Sequence, residues 1–195
     1  EGQILARLDP TFAAADLNAL TTQVSALQAQ VGRMRAELDD RPFPYTGIDP
    51  NLALQAAIHA QRKAEFHYRL EGYQQKANSL ASTVARARAD TESYRDRLTY
   101  ATSVESMRRE LERLNVGSKL NTLAAMDNRT EMRRNLETAE QQANASQRDL
   151  AALIAERNGY IQGWRADLAE KLADSLGKLS DARESLNKAQ LHRQL

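Results

Sequence analysis

All four prolines of this chain, Pro10, Pro42, Pro44 and Pro50, fall in its first quarter, and from Asn51 to Leu195 no residue forbids an α-helix. Over that stretch apolar residues recur in alternating steps of three and four. One seam runs through Phe66, Leu70, Tyr73, Ala77, Leu80, Val84, Ala87, Thr91, Tyr94, Leu98 and Ala101, and continues less regularly to Leu111 and Leu114. Another carries Leu123, Met126, Leu136, Ala143, Leu150, Ile154, Ile161, Trp164, Leu168, Leu172, Leu176, Leu179 and Leu186. Upstream, Leu17, Leu20, Val24, Leu27, Val31, Met34 and Leu38 keep the same beat. This spacing is that of a coiled-coil seam. Between the two long seams, Asn115-Val116-Gly117-Ser118 is the one turn signal for many residues on either side, with Gly117 suited to a left-handed position after a helix.

The two long seams are reflections of each other. Residues that face each other in an antiparallel hairpin have numbers with a constant sum. Leu111 with Leu123, Leu98 with Leu136, Thr91 with Ala143 and Val84 with Leu150 all sum to 234, as do Leu80 with Ile154, Tyr73 with Ile161, Leu70 with Trp164, Phe66 with Leu168 and Ile58 with Leu176. The mirror lies at residue 117, where the glycine stands. The expected fold is therefore all-α: a long antiparallel coiled-coil hairpin with a third helix packed near its base, preceded by a short strand.

Asp9-Pro10 and Asp49-Pro50 each read as an N-cap followed by proline at the first helical position. Arg41 to Ile48, with two prolines, reads as an extended linker. These signals place the first helix at 10–40, the linker at 41–49, the ascending hairpin helix at 50–115, the tip turn at 116–118 and the descending helix at 119–195. The descending helix of about 75 residues would measure roughly 110 Å, and the two ascending helices stacked end to end would overshoot it by roughly 30 Å. A linker of about nine extended residues can span roughly 30 Å. The first helix is thus expected beside the third, with the chain doubling back before the second begins. The three-helix segment so formed is where Phe66, Tyr68, Tyr73, Tyr160 and Trp164 would find room.

Composition removes whole classes of function. The 27 basic residues nearly balance the 26 acidic ones, for a net charge of +1, so the excess positive charge of nucleic-acid binding is missing. With no cysteine there is no disulfide framework and no thiolate metal site. No stretch approaches the roughly 20 apolar residues of a membrane span. No signal peptide is visible either, and the chain opens on Glu1-Gly2-Gln3 as if in mid-strand, which suggests a fragment whose anchor and targeting signal lie outside it. Neither a glycine-rich phosphate loop nor a nucleophile elbow nor a His-Glu-x-x-His motif occurs. His59 and His67 are roughly 12 Å apart along a helix, too far to share one metal ion, and read as solvated or seam-edge residues; His192 is the other imidazole. No enzyme activity, cofactor or metal is expected, because a two-stranded coil offers no pocket.

Two features keep alternative readings. The seam thins at Ala77, Ala87, Thr91, Ala101 and Ala143, either through ordinary tolerance in a long coil or because thin coils pack laterally into a larger assembly. Arg108, Arg109 and Arg113 precede Asn115-Val116-Gly117-Ser118-Lys119-Leu120-Asn121, so the turn is cationic and rich in amides. Basic residues are favoured at any helix C-terminus, yet the tip is also the one place where such a hairpin presents unique chemistry.

Glu1-Gly2-Gln3-Ile4-Leu5-Ala6-Arg7-Leu8-Asp9 resembles the end of the first half of a lipoyl-type β domain, a half-motif over 1–9. Arg109-Glu110-Leu111-Glu112-Arg113-Leu114 with Val116 to Leu123, and Arg148 to Leu153 with Glu156-Arg157 and Trp164, are similar to the hairpin of haemolysin-D-type membrane fusion proteins. The resemblance implies the periplasmic adaptor of a type I secretion system, anchored in the bacterial inner membrane, self-associating into a ring (a hexamer in the family), and joining an ATP-binding-cassette (ABC) transporter to a TolC-type outer-membrane channel. It implies that the tip docks the channel through Arg108, Arg109, Leu111, Arg113, Leu114, Asn115, Gly117, Ser118, Lys119 and Asn121. Related efflux adaptors carry Arg-x3-Leu-x6-Ser at the tip; here Leu111 and Ser118 fit, but Met107 stands at the arginine position. A multidrug-efflux adaptor of the same superfamily is one alternative. A spectrin-like structural spacer is another, which explains the heptads but neither the opening strand nor the basic, mirrored turn.

Overall fold

The computed structural model describes residues 10–43, 45 and 49–194. Among these the chain forms three helices and no strand: α1 (Pro10–Leu38), α2 (Pro50–Arg113) and α3 (Lys119–Gln194). The fold is a helical hairpin whose limbs are α2 and α3. The strand expected near the N-terminus, with the half-motif over 1–9, lies outside the described residues. The chain divides into two compact units, Glu1–Arg69 with Gly159–Leu195, and Leu70–Asn158.

Helix boundaries have local chemical causes. Asp49 caps α2: its Oδ1 accepts the Asn51 N–H at 2.8 Å and its carbonyl accepts from Ala53 at 3.0 Å, with Pro50 at the position where a missing N–H costs nothing. Both α1 and α2 end on a left-handed residue that is not glycine, Asp40 at φ 49° and Asn115 at φ 58°. After α1, Arg41 N–H reaches the Ala36 carbonyl (2.8 Å) and Asp40 N–H that of Glu37 (3.3 Å); after α2, Val116 reaches Leu111 (3.0 Å) and Asn115 reaches Glu112 (2.9 Å). These paired bonds are Schellman motifs, which satisfy carbonyls that the helix leaves open. Asn115, not Gly117, therefore takes the left-handed position, since a short polar side chain tolerates it. Gly117 is required for another reason. A Cβ there would stand 3.0 Å from Leu111 Cβ and 3.1 Å from backbone atoms of Leu111 and Glu112.

In the first unit α1 lies against both α2 and α3. Its apolar face, Val24 and Val31 with Leu27, packs on Leu179 and Ala182, flanked by Leu172 and Leu186. Gln30 Nε2 donates to Ser175 Oγ (3.3 Å) and Arg165 Nη2 to the Leu38 carbonyl (3.4 Å), so α1 and α3 run antiparallel. Toward α2 the contacts are polar and parallel. Ser25 Oγ donates to Asp49 Oδ2 (3.3 Å), Arg33 Nε to Gln55 Oε1 (2.7 Å), Arg62 Nε to Glu37 Oε2 (2.9 Å) and Lys63 Nζ to Asp40 Oδ1 (2.9 Å). Thus α2 begins beside the middle of α1, which is the doubling back that the linker length allows.

Where the three helices overlap, Phe66 packs on Trp164 (centroids 5.2 Å) and Tyr160 (5.9 Å), and the Arg62 guanidinium lies 4.4 Å from the Trp164 ring centre. Burial raises the Tyr160 phenol above its ordinary pKa. Tyr68, expected at this level, is exposed instead. His59 is buried against Phe43 (6.2 Å between centroids), whereas His67 is exposed beside Phe66. The side chain of His192 lies outside the described residues. Leu168 is the most completely buried large side chain of the described residues, at 1 % exposure.

In the second unit α2 and α3 pair alone. Arg88 Nη2 donates to Gln147 Oε1 (3.1 Å), Arg95 Nη2 to Glu140 Oε1 (3.2 Å), and Glu105 pairs with Arg129 (2.6 Å). These pairs keep the mirror of the sequence to within one residue. Tyr73 Oη donates to Glu156 Oε1 at 3.0 Å in the same unit. Val84, Ala87, Thr91, Ala101, Ala125, Ala139 and Ser146 are buried along the seam, with Leu98, Leu136, Ala143 and Leu150 half-buried.

Candidate functional site

The hairpin turn is the candidate site, and it is built from the two helix ends that meet there. After the Schellman motif, Ser118 caps α3: its Oγ accepts the Leu120 N–H (3.2 Å) and its carbonyl accepts from Asn121 (3.0 Å) and Thr122 (3.3 Å). The Thr122 hydroxyl donates to the Arg108 carbonyl at 3.4 Å, tying α3 back to α2.

The interior of this segment is charged. Glu105 is buried at 4 % exposure, with Arg109 Nη2 2.5 Å from one carboxylate oxygen and Arg129 Nε 2.6 Å from the other. The Arg129 contact is an ion pair by proximity, its angle falling short of a hydrogen bond. Two guanidinium groups on one carboxylate offset the cost of burying it. Small or polar neighbours, Ala101, Thr122 and Ala125, complete the contact between the helices.

The exterior, by contrast, is apolar. Tyr100 (71 % exposed), Val104 (40 %), Met107 (59 %), Leu111 (39 %) and Leu114 (52 %) share one outer face of α2, and Val116, Leu120 and Leu123 are exposed around the turn. The expected burial of Leu111 against Leu123 is therefore wrong. Glu105 continues the seam after Ala101, and the two leucines point away from it. Spacing located a stripe of leucines correctly but could not say which of two stripes meets the neighbouring helix. Ile154 and Leu176, also assigned to the seam, are partly exposed as well.

Of the residues expected at the tip, Arg108, Arg109, Leu111, Arg113, Leu114, Asn115, Ser118, Lys119 and Asn121 are exposed, and Gly117 is half-buried. They are not equally available. Arg109 is committed to Glu105, and Arg113 donates two hydrogen bonds to Glu110 (2.8 and 2.6 Å), holding that carboxyl below its ordinary pKa. Asn115 and Ser118 carry the turn itself. Arg108 and Lys119 are the cations of the turn with no ion pair among the described residues. Reading the sequence missed Glu105, Thr122 and Arg129, although Glu105 and Arg129 sum to 234 and the mirror marks them as partners. No group of residues suited to hold a metal ion occurs among the described residues. No helix of the described chain is long and apolar enough to cross a membrane.

In fold, the chain is similar to the crystal structure of the soluble domain of LipC, a membrane fusion protein of a type I secretion system. The TM-score is 0.87 with 16 % sequence identity, over 98 % of this chain and 95 % of that one. No curated protein matches the sequence at a significant level. The family model of the AprE long alpha-helical hairpin matches residues 13–192, nearly the whole chain. With its three helices and its turn at Asn115–Ser118, this chain belongs to the AprE long alpha-helical hairpin family.

Proposed function

We propose that the chain is the helical hairpin of a periplasmic adaptor for type I protein secretion, linking an inner-membrane ABC transporter to a TolC-type outer-membrane channel. The observation that carries this reading is the likeness in fold, over nearly all of both chains, to the soluble domain of a membrane fusion protein of such a system. In this reading the turn docks the channel, copies of the chain assemble into a ring, and an anchor outside this chain holds it to the inner membrane. The task is mechanical and needs no catalytic group. It asks for a presented surface, and the hairpin turn has exposed apolar side chains and two uncommitted cations.

Charge reversal tests the docking. Arg108 and Lys119 are the residues to change, because neither holds the hairpin together. Arg109 is unsuited to the purpose, since a carboxylate in its place would face buried Glu105 and disturb the fold. The Arg108→Glu, Lys119→Glu variant should lower export of the secreted substrate about tenfold or more, the effect of about 1.4 kcal/mol of lost docking energy, with helical content and melting temperature unchanged. Normal export by this variant would sink the assignment of the turn.

A further inference from the structure

Three of the four glycines within α2 and α3 gather at one level of the hairpin. Gly72 is the single glycine of α2, and its mirror position, 162, falls between Gly159 and Gly163 of α3. Glycine weakens a helix interior, because it loses the most backbone freedom on folding and leaves the backbone open to water. Close approach explains such a residue where it excludes a Cβ, as at Gly117, or at Gly32 of α1, whose Cβ would stand 3.3 Å from the Phe43 ring. At Gly72, Gly159 and Gly163 a Cβ would meet nothing within 4 Å, so no packing contact calls for glycine there. Gly177 is equally open, but it stands between buried Ser175 and Leu179, where α1 packs on α3.

The same level is where each limb buries least. In α2 no residue from 60 to 83 is buried, whereas Val84, Ala87, Thr91, Ala101 and Glu105 are. In α3 none from 147 to 167 is buried, whereas Leu168, Ser175, Leu179 and Ala182 are. The large side chains of these stretches, among them Tyr73, Tyr160 and Trp164, reach only partial burial. Ala77 and Arg157 are mirror partners, so the seam sets a methyl group against a guanidinium. The Arg157 Nε is buried without a hydrogen-bond acceptor among the described residues, a further cost to pairing at this level.

We infer that α2 around Gly72 and α3 around Gly159 and Gly163 form a bending joint, at which both limbs of the hairpin change direction without unzipping. A helix bends where its backbone is least restrained and where few packed side chains must rearrange, and both conditions coincide here. A two-helix hairpin bends only if both limbs yield at one level, since a glycine in one limb alone would be splinted by the other. The mirrored placement of the glycines meets that requirement. The joint is a property of the chain itself and does not depend on the docking reading.

The open space at the three positions makes the test direct. Gly72→Ala, Gly159→Ala and Gly163→Ala can be combined with every existing contact kept, so the variant folds and lacks the joint. In the native chain, amide hydrogens of 68–82 and 152–166 should exchange at least about fivefold faster than those of 84–98 and 136–150. The triple variant should slow exchange in the two joint stretches at least about threefold, the effect of one glycine-to-alanine step in helix propensity, and leave the flanks unchanged. Residual dipolar couplings of backbone N–H groups in a dilute aligned medium read the bend itself. The parts of α2 on either side of Gly72 should require two alignment strengths in the native chain and one in the variant. Exchange no faster at the joint than at its flanks would overturn the inference, as would equal slowing along the whole hairpin in the variant. A single alignment for all of α2 in the native chain would show opening without bending and overturn it too. Two alignments that persist in the variant would show that the glycines are not the cause.

Discussion

Asn115 and Gly117 stand two residues apart in the turn and are constrained for unlike reasons. Asn115 holds a left-handed backbone, at φ 58°, that closes the Schellman motif of α2. Glycine adopts that conformation without a Cβ penalty, so Asn115→Gly should raise stability by about 0.5–1 kcal/mol, and Asn115→Val should lower it by about 1–2 kcal/mol. Gly117 is held by lack of space, since a Cβ would meet the Leu111 side chain and two backbone atoms. Gly117→Ala should cost about 1–3 kcal/mol, as overpacking does. Urea denaturation of the three variants checks the assignment. A gain in stability from Gly117→Ala would show that the close approach to Leu111 is absent. The same logic applies at the end of α1, where Asp40 is left-handed and its carboxylate accepts from Lys63, which holds it below its ordinary pKa.

At the scale of the elements, the pairing of α2 with α3 near the turn depends on one buried carboxylate. Truncating Glu105 to alanine leaves Arg129 without its anion and opens a gap in a seam of small residues. The cost should be about 1–3 kcal/mol, below that of a fully enclosed pair because both arginines reach solvent. A double-mutant cycle of Glu105→Ala with Arg129→Ala should give a coupling of about 1–2 kcal/mol. Additive single effects would mean that the contact is incidental. The pairing of α1 uses different means. It buries Val24, Val31 and Leu27 on α3, and meets α2 through Arg33, Glu37 and Arg62, an ion-paired set in which Glu37 is almost wholly buried. Apolar contact supplies the attraction there, and the polar contacts set the register of α1 along α2.

Across the whole molecule the two units differ in what they bury. The first has three helices, an aromatic cluster and Leu168 at its centre, whereas the second has two helices joined through Val84, half-buried leucines and many small side chains, with one buried glutamate. Apolar burial sets local resistance to opening. Amide hydrogen exchange should therefore be slower across 24–36 and 165–182 than across 100–113 and 119–132. The difference should be roughly tenfold or more, equivalent to about 1.4 kcal/mol of opening free energy. Uniform protection along the hairpin would contradict it. A less protected second unit accords with a surface that gains stability when a partner covers it.

Much of this was legible in the residues alone. The confinement of proline to the first quarter, the heptad spacing and the reflection about residue 117 together require two antiparallel helices, and the contacts of Arg88 with Gln147 and Glu105 with Arg129 follow the mirror. The length surplus also required α1 to lie beside the hairpin. Periodicity determines these things because a helix repeats its faces at a fixed angle whatever surrounds it. It does not determine which face the neighbouring helix takes. That choice rested on how closely two backbones can approach over Ala101 and Ala125, and on whether Glu105 could be matched by two arginines from different helices. Only the tertiary packing decided it, leaving Met107, Leu111 and Leu114 exposed beside the turn.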